Sequence, residues 1–361
     1  MSYFFAFLSA LLISFISSPL TILVFKKLNI LDDPARHRQA KNQVHQYPVP
    51  RGGGIPVFLG LLSSLFFLPF DQHLKGILAA ILIALIVGVF DDIFQGKIHP
   101  LVRLAGNFLS AGAIVFAGIG IPFINNPFGG IIQLNTPQIC FNFLGQPRCI
   151  WLIADLLALL WIVWCMNFVG WSGGVEGQLP GIVAVAALTI AGLSLKFSAD
   201  ITQWPITILA LILAGSYLGF LPWNFYPQKI MPGYSGKTIA GLMLAVLSIL
   251  SVAKVATLML VLGIPLIDAG YLVVKRILLG KSPVWGKREH FHHRLLDLGW
   301  SKKKIAIFYW LVTLLLGILA LNLNSKQKLY TMLMLTFIFF GIILWIKFFS
   351  TSSKQPDQDN G

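Results

Sequence analysis

Two adjacent carboxylates, Asp91-Asp92, close the apolar stretch from Gly76 to Ile93, which otherwise carries no charge or strong polar group. A helix of that length crosses a bilayer, so both acids arrive together at a membrane surface. Burying one carboxylate in hydrocarbon is costly and two side by side more so, which places the pair at the interface or on a water-filled cleft. Either location suits a divalent metal or the handling of phosphate. Taken alone, the pair reads equally as a helix stopping at a polar boundary.

A second constellation lies far along the chain, Lys287-Arg288-Glu289-His290-Phe291-His292-His293-Arg294. Three histidines in four residues, flanked by cations and with no apolar period, do not build a core. A structural zinc site is disfavoured, because Cys140, Cys149 and Cys165 are remote in sequence and the H-x-H-H spacing matches no common zinc motif. Imidazole and guanidinium beside a membrane suit a pyrophosphate better, a basic surface loop being the plain alternative. Three further loops repeat the theme. Lys41, His45 and Arg51 precede Gly52-Gly53-Gly54, which opens a helix and offers backbone N–H groups to an anion. Asn167 and Glu176 bound a glycine- and serine-rich turn. Lys229 and Lys237 flank Gly233-Tyr234-Ser235-Gly236, a second small-residue helix start that an anion fits.

The elements that must position these groups follow from composition. With 57% hydrophobic and 11% charged residues and a mean hydropathy of +0.80, the 361-residue chain is an all-α polytopic membrane protein from which no soluble module separates. Apolar runs of spanning length fall at about 2–25, 54–70, 76–93, 101–121, 150–168, 179–196, 204–221, 237–253, 255–275, 304–322 and 330–348, predicting eleven transmembrane helices. The first run has no basic region ahead of it, and Lys26-Lys27 follows it, so it reads as a retained span with its N-terminus outside. Alternation then puts 26–53, 92–100, 169–178, 222–236, 276–303 and the C-terminal tail on one face. Only Lys75, Arg148, Lys196, Lys254, Lys326 and Lys328, of 27 Lys and Arg, fall on the other, which makes the first face cytoplasmic. All five polar constellations share it. Residues 1–348 form a single integral-membrane domain and 349–361 a disordered cytoplasmic tail.

The net charge of +14 is that of basic loops beside an anionic leaflet in the plasma membrane, and nothing resembles a nucleic-acid reader. On the outer side, Cys140 and Cys149 are either a disulfide or two free thiols, since spacing does not place their Cα atoms. Cys165 reads as a packing residue. Within the spans Asp155 and Asp268 are the main polar groups, too few for the mid-membrane site of a transporter.

From the D-D-P opening through P-V-P-R-G-G-G at Pro48–Gly54 to H-F-H-H-R-L-L-D-L-G-W-S at 290–301, the chain resembles the polyprenyl-phosphate N-acetylhexosamine-1-phosphate transferases. The H-x-H-H-R-L form is similar to the GlcNAc-1-phosphate branch, which is related to the phospho-MurNAc-pentapeptide translocase. The resemblance implies transfer of a sugar 1-phosphate from a UDP-sugar to undecaprenyl phosphate, with release of UMP, at a cytoplasmic site using Mg2+ or Mn2+. It implies catalytic roles for Asp91 and Asp92 and places His292 and His293 near the donor diphosphate. His290, Arg294 and Lys287 flank that site, and Arg51 belongs to the opening motif.

The chain also departs from the family's pattern. The loop N-A-x-N-x-x-D-G-x-D-G is here Asn167-Phe168-Val169-Gly170-Trp171-Ser172-Gly173-Gly174-Val175-Glu176-Gly177, keeping Asn167 and the acid Glu176 but with Gly170 and Gly173 for an Asn and an Asp. The G-D-S-G motif is Gly233-Tyr234-Ser235-Gly236, and a neutral phenol is a poor Mg2+ ligand. Three readings follow. The metal is held by Asp91, Asp92 and Glu176 with substrate oxygens; or lysines and histidines replace part of its charge; or the protein is a non-catalytic polyprenyl-phosphate or nucleotide-sugar binding protein with a lapsed metal site. The retained acidic pair and histidine loop favour an active transferase. A homodimer is left open.

Overall fold

The computed structural model describes residues 2–34, 47–94, 97–126, 128–143, 146–197, 199–200, 202–251, 254–282 and 289–352. The chain is helical almost throughout. The helices are α1 (Ser2–Lys27), α2 (Gly54–Leu61), α3 (Gln72–Ile93), α4 (Pro100–Phe116), α5 (Leu152–Trp171), α6 (Gln178–Lys196), α7 (Gln203–Asn224), α8 (Gly233–Leu250), α9 (Lys254–Val261), α10 (Gly263–Leu278), α11 (Phe291–Asp297), α12 (Lys302–Asn322) and α13 (Ser325–Ser352).

Eight of them, α1, α3, α5, α6, α7, α8, α12 and α13, are long and apolar enough to cross a membrane, and α9 with α10 brings the number to nine if the bent pair is one span. The remaining predicted spans are shorter. The run at 54–70 is helical only from Gly54 to Phe66, the last turn tightening to 3-10 geometry ahead of Pro69, and the run at 101–121 ends at Phe116. The run at 255–275 is not straight. It bends by 89° at Leu262, where Gly263 and Pro265 open α10, a place where a missing N–H is tolerated and a continuing helix is not. The predicted tail also starts too early. No Gly or Pro interrupts residues 349–352, and α13 runs on to Ser352.

Small residues decide which helices lie inside. In α6, α7 and α8 between 72% and 78% of the membrane-length window is buried, against 28% in α1 and 17% in α13. Lipid chains are as apolar as a leucine core, so helices in a membrane associate through close backbone approach. Gly215 and Gly219, one turn apart on α7, supply it: a Cβ on either would run into the main chain of α1 at Phe7 or Leu11. Gly241 of α8 meets the backbone of Cys165 and Met166 on α5 in the same way, and Cys165 is a buried free thiol, as packing requires.

Among the described residues there are also three two-stranded antiparallel sheets. The strands β1 (Leu31–Asp32) and β2 (Val49–Pro50) brace the loop that carries Arg51. Between α4 and α5, β3 (Phe123–Asn125) pairs with β4 (Ile131–Gln133), and β5 (Gln138–Phe143) with β6 (Gln146–Trp151). The β5–β6 register sets Cys140 opposite Cys149, and the two are joined in a disulfide.

Candidate active site

One end of the bundle is hollow. The C-terminal ends of α3, α5 and α7, the N-terminal ends of α6 and α8, the Arg51 loop and the histidine segment enclose a cavity of about 520 Å3. Consecutive helical residues point about 100° apart, and that angle separates the acidic pair. Asp91 lines the cavity, its Oδ1 3.3 Å from Nε of Arg103 on α4. Asp92 turns toward α8 and is fully buried. It accepts hydrogen bonds from the backbone N–H of Tyr234 at 2.6 Å and of Ser235 at 3.2 Å, and from the Ser235 hydroxyl at 2.6 Å. These N–H groups open α8 and have no intrahelical acceptor. The anion expected at this helix start is the protein's own Asp92, which therefore positions α8 and does not face the cavity.

The glycine triplet is likewise a packing device. The N–H of Gly53 donates to the Met231 carbonyl at 3.0 Å, and a Cβ on Gly53 would stand 2.6 Å from that same oxygen; Gly54 faces the Ser235 side chain as closely. Gly53 is not among the residues lining the cavity, and its role is close approach to the start of α8 rather than phosphate binding. Arg51 does line it. Its Nη1 lies 3.7 Å from Asp32, and its buried Nε has no hydrogen-bond partner among the described residues.

The Asn167–Glu176 loop forms another wall. Asn167 donates Nδ2 to the Val163 carbonyl at 2.7 Å. Glu176 accepts from Lys302 of α12 at 2.8 Å and from the Gln228 N–H at 3.4 Å, while Asn224 ties the loop to α7 by accepting from the Gly177 N–H at 3.0 Å. Nearby, the Tyr47 phenol donates to the Gln228 carbonyl, and burial, reinforced by the Glu176 carboxylate, raises its pKa above the usual value. Gly174 has no room for a side chain, because a Cβ there would overlap the His292 imidazole.

Asp268, near the start of α10, holds the histidine segment in place. Its carboxylate lies 2.8 Å from His290 Nδ1 and accepts the Phe291 N–H at 3.0 Å. The His290 ring then stacks on His292, with centroids 5.5 Å apart and planes within 8°, and lies 6.1 Å from Trp171. His290, His292 and His293 all line the cavity.

Two expected cations are elsewhere. Lys229 is exposed, with Nζ 5.0 Å from the Trp223 ring, and Arg294 donates to the Glu289 carbonyl at 3.4 Å and faces Tyr271. Neither lines the cavity, because α11 turns Arg294 away from His293 and the α7–α8 connection turns Lys229 outward. Lys41, His45 and Lys287 lie outside the described residues. In exchange the fold brings in Arg103 and Lys237 as lining cations, with Asn107 accepting from the Tyr234 hydroxyl at 3.2 Å. The clue to Arg103 in the sequence is a lone charge near the start of an apolar run, three residues after Pro100.

Beside this polar chamber lies an apolar groove of about 660 Å3 between α4, α5 and α10, walled by Leu104, Leu160, Val163, Trp164, Leu272 and Val273. The two share Arg103, Asn167, Trp171, Tyr234 and His290, so the groove opens directly onto the charged groups.

The model for glycosyl transferase family 4 matches residues 74–252, the segment that carries Asp91, Arg103, Asn167, Glu176 and Lys237. The chain belongs to glycosyl transferase family 4. Over 353 residues, 95% of this chain and 89% of the relative, it is 27% identical to the probable undecaprenyl-phosphate N-acetylglucosaminyl 1-phosphate transferase of Bacillus subtilis. It is 27% identical over 349 residues to the decaprenyl-phosphate N-acetylglucosaminephosphotransferase of Mycobacterium leprae, covering 88% of this chain and 82% of that one. With the phospho-N-acetylmuramoyl-pentapeptide-transferase of Bacillus licheniformis it shares 24% identity over 332 residues, 89% of this chain and 97% of the relative.

For this member of family 4, the donor set does not fit a Mg2+ ion held by Asp91, Asp92 and Glu176. Asp91 lies 3.3 Å from Arg103 with its buried Oδ1 making no hydrogen bond among the described residues, but Asp92 is engaged by α8 and Glu176 is paired with Lys302, so the three carboxylates do not converge on one point. Among the described residues no group of three or more His, Cys, Asp or Glu is arranged to hold a metal ion. Mg2+ prefers near-octahedral oxygen ligands, and Tyr234 spends its hydroxyl on Asn107.

Proposed function

We propose that this protein transfers a sugar 1-phosphate, GlcNAc-1-phosphate as the favoured case, from a UDP-sugar to undecaprenyl phosphate, giving a lipid-linked diphospho-sugar and UMP. The observation that carries this reading is the junction of the two cavities. A chamber lined by Arg51, Arg103, Lys237 and two buried histidines suits a diphosphate, and an apolar groove meeting it at Arg103 suits a prenyl chain whose phosphate stops there. The relatives' names support the polyprenyl phosphate and the N-acetylglucosamine 1-phosphate group, and the UDP-sugar donor is our inference from the chamber.

In this reading an oxygen of the lipid phosphate attacks the sugar-bearing phosphorus of the donor, a new P–O–P link forms, and the bond to the bridging oxygen breaks so that UMP leaves with it. The attacking monoester is largely dianionic near neutral pH, so no strong base is needed. The Arg103 guanidinium, which donates to the Ile98 carbonyl at 3.1 and 3.3 Å and lies 3.3 Å from the Asp91 carboxylate, stands at the mouth of the groove, where it receives the lipid phosphate. His292 and His293 face the donor, and Asn167 orients it by hydrogen bonding. Positioning and charge neutralisation do most of the work in phosphoryl transfer.

The excess of basic residues on the loops around the chamber supports a cytoplasmic active site in the plasma membrane, with the N-terminus outside, the C-terminus inside and the disulfide hairpin outside. The short α2 and α4 then complete eleven crossings with locally thinned bilayer. The test is release of UMP from UDP-GlcNAc by purified protein in detergent, with and without undecaprenyl phosphate. Release that depends on the lipid and falls at least ~10-fold in Asp91→Asn is expected. No UMP from any UDP-sugar would sink the reading.

A further inference from the structure

The misfit between the chamber and a metal ion has a specific counterpart in the structure, the side chain of Lys237. It enters the chamber one turn into α8, and its stem runs along the glycine face of the α5–α6 loop. A Cβ on Gly170 would stand 3.4 Å from Lys237 Cβ, and one on Gly173 would stand 3.2 Å from Lys237 Cε, tighter than ordinary van der Waals contact. The lysine therefore fills space that side chains at 170 and 173 would contest. Its ammonium makes no hydrogen bond or ion pair with any described residue, unlike Lys302, which is spent on Glu176. Asp91 lies in the combined field of Arg103, Arg51 and Lys237.

The charge balance agrees with the geometry. Arg51 and Arg103 each have a carboxylate beside them, Asp32 and Asp91, so of the lining Lys and Arg side chains only Lys237 has no carboxylate within ion-pair distance among the described residues. Tyr234 and Gly173, standing where the related pattern has acids, add no negative charge that would neutralise it. Carboxylates at those positions would need a divalent ion to accept a diphosphate; without them an ammonium and two guanidinium groups meet the same demand.

We propose that Lys237, together with Arg51 and Arg103, takes the place of a divalent metal in this chamber, binding the diphosphate of a nucleoside-diphosphate donor directly. This rests on the transferase reading for the identity of the donor but not for the binding of diphosphate. Lys237 is then a substrate-binding residue that neutralises the charge of the departing phosphate.

The experiment is calorimetric titration of purified full-length protein with UDP and, separately, with inorganic pyrophosphate, each in EDTA and in Mg2+, alongside UMP release under both conditions. Wild-type dissociation constants in the two buffers should agree within ~2-fold, and Lys237→Met should weaken both ligands by at least ~10-fold in either buffer, with Lys237→Arg recovering most of the loss. Binding that vanishes in EDTA and returns with Mg2+, or a Lys237→Met variant that binds like wild type, overturns the proposal. Should Lys237→Met fail to fold, the wild-type comparison and Lys237→Arg still decide. UMP release that requires Mg2+ overturns the role of Lys237 and leaves the transferase reading standing. Metal-free pyrophosphate binding without UMP from any UDP-sugar supports the cation site and removes the transferase reading.

Discussion

Replacing Asp92 by Asn tests whether the second acid of the pair is structural. The isosteric amide keeps one oxygen, which still accepts the Tyr234 N–H now held at 2.6 Å. Its NH2 takes the place of the oxygen that serves both Ser235 groups at 3.2 and 2.6 Å. The Ser235 hydroxyl rotates to accept, but the Ser235 N–H cannot, and an unsatisfied buried donor costs about 1–3 kcal/mol. Loss of the negative charge at the start of α8 adds about 0.3–1 kcal/mol. The sum, about 2–3 kcal/mol, should lower the melting temperature of the purified protein by roughly 3 °C on soluble-protein scaling. Asp92→Ala leaves a second N–H orphaned and should cost about twice as much. The assay is thermal unfolding in detergent with Ser235→Ala as partner in a double-mutant cycle, in which coupling of at least ~0.5 kcal/mol is expected. An Asp92→Asn protein with wild-type melting behaviour, no coupling to Ser235 and a complete loss of turnover would refute the structural role and return Asp92 to the chemistry.

Gly174→Ala should raise the KM for donor by at least ~10-fold, because its Cβ must displace the buried His292 ring; unchanged donor dependence would show that His292 does not handle the donor. Asp268→Asn should leave the fold intact but loosen His290 and the start of α11, and the checkable result is a larger rise in donor KM than in lipid KM. Lys302→Met strands the Glu176 carboxylate, so stability should fall by about 3 kcal/mol, and the Lys302→Met/Glu176→Gln pair should recover most of it on thermal unfolding. Cys140→Ser opens the β5–β6 hairpin, which does not line the chamber; faster proteolysis there with unaltered UMP release is the expected outcome.

The apolar runs, the acid pair at the end of α3 and the histidine segment before α12 were legible in the sequence because each depends on local composition. The bend between α9 and α10 is a weaker local signal: Gly263 and Pro265 mark it, but a run of apolar residues hides a change of direction. The disulfide needed the β5–β6 register, since spacing alone gives no Cα separation. Lys229 and Arg294 sit in the right loops and face the wrong way, an orientation fixed by what packs around each loop.

By itself the sequence determined the class of protein and the ends of the helices on which chemistry was to be sought, because bilayer thickness and the cost of burying charge act on every segment separately. Only the tertiary structure decided which charges meet. Adjacent residues on a helix diverge by about 100°, so Asp91 reaches Arg103 while Asp92 is buried against Ser235. Lys237 reaches the chamber because Gly170 and Gly173, distant in sequence, leave it room. Helix packing sets those approaches, and no single stretch of sequence encodes them.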